Sequence, residues 1–320
     1  MKYSLPLIFF IFVYSLKQLE KGIVIKSTGS WYTVRKEDGA CVECKLKGRL
    51  RTEGIKSTNP VVTGDIVLLE EGIIRDIEPR RNYIIRKSAK LSKQSQIIAA
   101  NVDMAFLVVT FRLPETPIEF IDRFLVAAEA YRIPVCLVFN KIDLFSSKEK
   151  VQLKQFAGIY RTIGYQTIET SVTKAIGIDE LRQMFADKVS VIAGLSGVGK
   201  SSLINAVDTN LKVRVGDMSD YHQSGKHTTT FAEMHRLQGG GYIIDTPGIR
   251  GFGLIHIEKD EMYHFFPEIF KVSADCAFHN CRHVSEPGCA VMKAVESGEI
   301  SNFRFRSYLN MMEDIQTKYR

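Results

Sequence analysis

Between residues 22 and 86 the apolar positions come in short runs, at 23–26, 31–35, 42–46, 65–69 and 73–77, in which β-branched residues alternate with polar ones or cluster. Turn-forming stretches separate them: Ser-Thr-Gly-Ser at 27–30, Glu-Asp-Gly at 37–39, Asn-Pro at 59–60 and Glu-Gly at 71–72. A period of two over so few residues predicts strands, and five short strands in about 65 residues predict a small closed barrel of the OB type.

Near Gln96 the pattern changes. At 102–110 and 135–139 the apolar runs are continuous, as strands buried on both faces require, and between them residues 120–131 carry apolar positions at helical spacing. Further strands are expected just before Glu169, at 189–193 and at 241–244, with a helix opening at Gly177. Strand and helix in alternation predict a parallel sheet covered by helices. Towards the C-terminus the pattern predicts only helices, at 290–296 and 301–318. The expected fold class is multidomain: an OB-type β-barrel over 21–90, a central α/β domain over 91–255 and a small α-helical domain over 256–320.

Residues 1–16 form an apolar run interrupted by Pro6. It is shorter than the roughly 20 residues of a spanning helix, and no small-residue cleavage site precedes Lys17 and Glu20. A signal peptide or membrane anchor fits poorly. The preferred reading is that residues 1–20 are an extension outside the working protein, with translation starting near Leu19.

The totals add three constraints. At 320 residues, with 45% hydrophobic and 25% charged, the chain can build two or three ordinary globular cores. An excess of 43 Lys and Arg over 36 Asp and Glu gives +7, which suits a polyanionic partner without naming one. The positive residues crowd the barrel: Lys45, Lys47, Arg49 and Arg51, then Arg75, Arg80, Arg81, Arg86, Lys87, Lys90 and Lys93. With Trp31 and Tyr32 as stacking aromatics they predict a nucleic-acid face; the competing reading is a charged edge that prevents aggregation. Six cysteines are too few for a disulfide scaffold at this length. Cys41 and Cys44, an odd three residues apart on an expected strand, should face opposite ways and are read as structural, with Cys136 in the core of a later strand.

The candidate chemistry centres on the strand at 189–193, which runs into Gly194-Leu195-Ser196-Gly197-Val198-Gly199-Lys200-Ser201, with a helical pattern from Ser202. This is the spacing of a phosphate-binding loop. Its glycines let backbone N–H groups curl around a polyphosphate, the new helix offers its positive end, Lys200 can reach the outer phosphates, and Ser201 offers a hydroxyl to Mg²⁺. The strand at 135–139 runs into Asn140-Lys141-Ile142-Asp143. The Asp143 carboxylate can accept two hydrogen bonds from guanine, while Asn140 can meet the base edge or brace the phosphate loop; adenine would leave the acceptor unpaired. The Thr170-Ser171-Val172 loop can support the ring with backbone groups of Ser171 and Val172. Downstream, Gly225-Lys226-His227-Thr228-Thr229-Thr230 reads as a loop in which Thr229 is the favoured Mg²⁺ partner, and Asp245-Thr246-Pro247-Gly248 ends a strand. There Asp245 would hold Mg²⁺ through water and the Gly248 amide would meet the γ-phosphate.

In most GTPases the phosphate loop comes first and the base-reading motif near the end; here the order is circularly permuted. Together with a barrel before and a cysteine cluster after, this resembles the ribosome small subunit-dependent GTPase A family over residues from about 22 to the C-terminus. The C-terminal cluster is Cys276-x4-Cys281-x-His283-x5-Cys289, three thiolates and one imidazole that suit a closed structural Zn²⁺. His279 lies among them, and the family pattern matches His283. The helical stretches beyond carry Arg304, Arg306, Lys318 and Arg320, read as RNA contacts or solvated faces.

The resemblance implies a cytoplasmic GTP phosphohydrolase that binds the small ribosomal subunit and its ribosomal RNA late in maturation, with hydrolysis stimulated by the subunit and linked to release. GTP and GDP with Mg²⁺ are the implied ligands; monomer is the default and a membrane partner is not expected. Ile249 stands where a water-orienting glutamine usually follows Gly248, so intrinsic turnover should be slow. His227 is the candidate for positioning the water, its alternatives being an RNA contact or a brace for the loop. Two rival classes remain: a GTP-gated RNA-binding switch with little catalysis, and a membrane-tethered GTPase using the apolar N-terminus.

Overall fold

The computed structural model describes residues 19–46, 60–87, 95–211, 232–245 and 257–317. The alternation in the first of these segments produces β1 (Glu20–Ser27), β2 (Tyr32–Lys36) and β3 (Cys41–Leu46), followed by β4 (Ile66–Glu70) and β5 (Ile73–Ile77). Antiparallel pairing of β1 with both β2 and β4, with β3 joined to β5, closes these strands into a barrel. Val24, Tyr32, Val34, Cys44, Val67, Leu69 and Ile74 fill it. Cys41 is exposed and Cys44 buried, as their odd separation requires.

Strand parity corrects the expectation for Tyr32. Residues 32 and 34 of β2 both point inward, so Tyr32 is only 2% exposed and belongs to the barrel core rather than to a stacking face. Trp31, just before the strand, stays exposed, with the Lys45 ammonium 4.2 Å from its ring centroid. Part of the expected basic crowd is also neutralised. Arg80, half-buried, forms a two-pronged pair with the buried Asp65 at 2.6 and 2.7 Å, Arg75 pairs with Glu70, and Arg81 pairs with Asp103. Lys47, Arg49, Arg51, Lys90 and Lys93 lie outside the described residues, as do the side chains of Arg86 and Lys87.

After the barrel, β6 (Tyr83–Lys87) pairs antiparallel with β7 (Ser95–Ala100). The central sheet then forms from β8 (Met104–Val109), β9 (Val135–Phe139), β10 (Gln166–Glu169), β11 (Val189–Ala193), β12 (Glu233–Arg236) and β13 (Tyr242–Asp245). Its order is β10-β9-β8-β11-β13-β12, all parallel except β12. Both faces are covered. Helices α1 (Ile118–Ala130) and α2 (Ser147–Ile163) bury Leu107, Val109, Leu137 and Phe139; α3 (Ile178–Phe185) and α4 (Lys200–Val207) bury Phe106, Val108, Cys136 and Val138 on the other side. Local chemistry sets their ends. Ser146 and Glu149 form a reciprocal capping box at the start of α2, and Gly164 closes it at φ 120°.

The barrel continues this sheet at its edge. Lys26 of β1 pairs with Glu233 of β12, the Thr63 hydroxyl donates to the Ala232 carbonyl at 2.8 Å, and the Asn101 amide donates to the Gly64 carbonyl at 2.9 Å. A Cβ at Gly64 would sit 2.0 Å from the Ala100 carbonyl oxygen, so this close approach requires glycine.

The C-terminal unit comprises a 3-10 segment (Lys259–Phe265), α5 (Pro267–Ser273), α6 (Ala290–Glu296) and α7 (Asn302–Thr317). Its core of Met262, Phe266, Ile269, Val291, Tyr308 and Met311 takes in Val126 from α1. Here the reading of Arg304 is overturned. Arg304 is 0% exposed and donates to Asp122 of α1 at 2.6 Å and to Glu268 of α5 at 2.7 Å, beneath the Phe266 ring at 4.6 Å. Over two helical turns the spacing places 304 beside 307, 308 and 311 on the inward face, and a charge there must find partners. Arg306 does remain exposed, whereas Lys318 and Arg320 lie outside the described residues. Among the described residues no helix is long and apolar enough to cross a membrane.

Candidate functional site

Because β8 to β11 run parallel, the loops that leave their carboxyl ends gather on one edge of the sheet. Chain direction also changes there: α1 and α2 lead outward to β9 and β10, and α3 returns the chain to β11 on the other side of β8. That switch point is where open α/β sheets leave a crevice for ligands.

The phosphate-type loop springs from β11 and ends in α4, whose cap Gly199 is left-handed at φ 100°. Gly194, at φ 140°, lies so close to β8 that a Cβ would be 2.5 Å from the Val108 carbonyl oxygen. Val198 is buried, Leu195 packs partly against the same core, and Ser196 and Gly197 face outward. The Lys200 ammonium curls over the loop to the Gly194 and Leu195 carbonyls at 3.0 and 2.8 Å. Ser201 is buried and Ser202 half-buried in the first turn of α4.

The loops that precede it in sequence meet it in space. Asn140, 2% exposed, donates from Nδ2 to the Val198 carbonyl at 2.9 Å and accepts from the Thr170 hydroxyl at 3.1 Å. Of its two expected uses, bracing the phosphate loop is the one its amide makes here. Lys141, left-handed at φ 62°, spans two loops, its ammonium reaching the Gly197 carbonyl at 2.7 Å and the Leu113 carbonyl. Asp143 stays at the surface and receives the Ser171 hydroxyl at 2.6 Å, which holds its carboxyl below the usual range and keeps it an acceptor. The Ser171 amide and carbonyl both pair with Ile176, at 3.0 and 2.9 Å, while its hydroxyl orients Asp143. Val172 is half-buried beside it.

Asp245 ends β13 next to β11, on the same edge. The side chain of Asp245, together with Gly248, Thr229, His227 and Ile249, lies outside the described residues. One contributor had no motif to announce it: the turn 110–116 between β8 and α1. Thr110 is buried, its hydroxyl donates to the Pro114 carbonyl, its amide donates to the Thr116 hydroxyl at 3.1 Å, and the Pro114 ring stands where a side chain at Gly197 would point, its Cδ 3.3 Å from the position of a Cβ there. A proline turn directly after a buried strand was the signal available.

In the C-terminal unit, Cys276, Cys281, His283 and Cys289 offer ligand atoms that all lie within 4.8 Å of one another. The His283 Nδ1 faces the Cys289 and Cys276 sulfurs at 3.5 and 3.6 Å, while Nε2 is buried without a hydrogen-bond partner among the described residues. His279 is exposed and outside the set. Burial pushes the Cys281 thiol up to about 12, raises Cys289 as well, and draws the His283 imidazole down. Buried thiolates need a cation to exist, and a neutral imidazole is ready to ligate, so the donor set fits a metal ion.

The sequence matches the family model described as RsgA GTPase over residues 77–255 and that of the RsgA N-terminal domain over 21–73. It is 54% identical over 306 residues to the small ribosomal subunit biogenesis GTPase RsgA 2 of Bacteroides thetaiotaomicron, covering 94% of this chain and 99% of the relative. Identity to the small ribosomal subunit biogenesis GTPase RsgA of Christiangramia forsetii is 48% over 308 residues, covering 94% and 98%. Among solved structures, YjeQ from Thermotoga maritima superposes with a TM-score of 0.79 at 34% identity, covering 93% of this chain and 99% of that one. YloQ, described as a circularly permuted GTPase, gives 0.74 at 28%, covering 95% and 98%. With a matching edge of loops, a permuted order and these likenesses over nearly its whole length, the chain belongs to the RsgA GTPase family.

Proposed function

We propose that this GTPase acts in maturation of the small ribosomal subunit, binding the particle and its ribosomal RNA, with GTP hydrolysis stimulated by the subunit and coupled to release. The observation that carries the nucleotide half is the junction of Asn140 and Lys141 with the phosphate loop at Val198 and Gly197, which ties base reading to phosphate binding. The ribosomal half comes from relatives about half identical in sequence that are small ribosomal subunit biogenesis GTPases.

In this reading Asp143 accepts from guanine, Ser171 and Val172 support the ring's loop, and Asn140 and Lys141 hold the two halves of the site together. Residues 194–202 enclose the phosphates, Lys200 meets the outer ones, and Ser201, Thr229 and Asp245 serve Mg²⁺, with the Gly248 amide on the γ-phosphate. His227 positions the attacking water once the subunit orders its surroundings. Cys276, Cys281, His283 and Cys289 hold one structural Zn²⁺. The barrel, with Trp31 and Lys45 at its surface, and the C-terminal unit meet RNA, within domains bounded near 21–90, 91–255 and 256–320. A cytoplasmic monomer is part of the same reading.

The test is GTP turnover with and without small ribosomal subunits, at low and moderate salt. Stimulation that weakens with salt supports the proposal. Turnover indifferent to the subunit, with GTP still bound, refutes the ribosomal half. His227→Ala should abolish the stimulated rate and spare GTP binding; an unchanged stimulated rate removes the role assigned to it.

A further inference from the structure

Helix α1 touches both ends of the molecule's chemistry. At its start, the turn 110–116 is tied to itself by Thr110 and Thr116 and set beside the phosphate loop, the Pro114 ring facing the open side of Gly197 and the Leu113 carbonyl sharing the Lys141 ammonium with the Gly197 carbonyl. One turn into the helix, Asp122 is 0% exposed and holds both the Tyr160 hydroxyl of α2, at 2.8 Å, and Arg304 of α7. Arg123 pairs with Asp314 of α7, and Val126 enters the core that contains Cys281 and Cys289. The inner face of α1 is packed on β8 and β9 through Phe124, Leu125 and Ala128. A helix locked on three sides moves as a body, so displacement of α7 must reach the turn that braces the phosphate loop.

We propose that the turn 110–116 positions the phosphate loop and that α1, through the Asp122–Arg304 pair, makes this position answer to the C-terminal Cys/His unit. Thr116 and Pro114 are then positioning residues for nucleotide binding, and the metal-holding unit is energetically linked to the nucleotide site by a route independent of residues 246–256. The inference rests on the nucleotide reading above. Linkage of this kind is reciprocal: nucleotide must stabilise α7 by as much as an intact α7 tightens nucleotide binding.

The experiment is hydrogen exchange of α7 amides in the full chain with and without saturating GDP and Mg²⁺, alongside GDP affinity. In the unaltered protein GDP should slow exchange in α7. Thr116→Val removes the acceptor for the Thr110 amide and should weaken GDP about five- to tenfold while cancelling the α7 response. Thr116→Ser keeps the hydroxyl and should restore both. Should Thr116→Val fail to fold, Pro114→Ala removes the ring that faces Gly197 and tests the same relay. An α7 exchange rate indifferent to GDP in protein demonstrably saturated with it overturns the inference and leaves the nucleotide reading intact. A full α7 response in a Thr116→Val protein with weakened binding overturns it too, since the turn would then act only locally. Failure of the unaltered protein to bind GDP at all would refute the nucleotide reading and this inference together.

Discussion

The barrel reaches the central sheet edge to edge, β1 beside β12 at Lys26 and Glu233, whereas the C-terminal unit reaches it through side chains, with Arg304 held between Asp122 and Glu268. The first junction is made largely of backbone groups and short polar side chains, Thr63 to Ala232 and Asn101 to Gly64. Most substitutions at the surface leave such bonds intact. The second concentrates its specificity in one buried charge, whose partners have been taken out of water and cannot be left alone. The lesson is that the two flanking units should differ sharply in how they respond to single changes.

The largest contrast should come from metal removal. Chelation should expose Cys276, Cys281 and Cys289 to thiol reagents and loosen α6 and α7; for a structural zinc in small zinc-finger peptides the free energy at stake is about 10–16 kcal/mol. Exchange in β1 to β5 should barely change; equal loosening of the barrel would erase the contrast.

Arg304→Met comes next. It strands Asp122 and Glu268 and should cost about 3–5 kcal/mol, read as a fall in the unfolding midpoint. Adding Asp122→Asn should recover part of the loss, because the buried carboxylate is then neutral. A midpoint unmoved by Arg304→Met would show that packing alone holds the unit.

At the other junction, Lys26→Ala removes a pair with Glu233 whose partners are each 42% exposed. The expected cost is about 0–1 kcal/mol in urea unfolding. A loss comparable with that of Arg304→Met would mean that the edge depends on side chains after all.

The smallest effect sharpens the nucleotide site itself. Asp143 has its carboxyl lowered chiefly by the Ser171 hydroxyl, so its acceptor form is present above the ordinary carboxyl range and is lost only as pH falls below it. Ser171→Ala should let the carboxyl rise back towards its ordinary range, so guanine affinity fails at a higher pH on acidification. Titration of GDP affinity from neutral pH down through the carboxyl range, to about pH 3, checks this; identical profiles would deny Ser171 its part.

Much of this molecule was legible in its residues because the relevant rules are local. Strand parity and turn residues marked β1 to β5 within a residue or two at most ends, except at the start of β1, and glycine spacing marked the loop at 194–201. Four ligands on short loops marked the Cys/His cluster. What remained illegible depends on partners far away in the chain. Tyr32 and Trp31 are neighbours of like chemistry, and only closure of the barrel decided that one is core and the other surface. Arg80 looked like part of a basic exit until Asp65 neutralised it. Arg304 read as positive charge on a helix until Asp122, 182 positions earlier, met it inside the fold.

Sequence by itself determined the five barrel strands, the buried strands of the central sheet, the permuted order of the motifs and the chemical groups available for nucleotide and metal, since these follow from propensities, periodicities and motif spacing over a few residues; β6, β7, β12, α2 and α5 were not legible in it. Tertiary structure alone decided which charges are exposed, that Asn140 and Lys141 clasp the phosphate loop, and that α1 joins that loop to the C-terminal unit. Those outcomes follow from burial and long-range pairing, where the free energy of a charged or aromatic group depends on everything packed around it rather than on its neighbours in the chain.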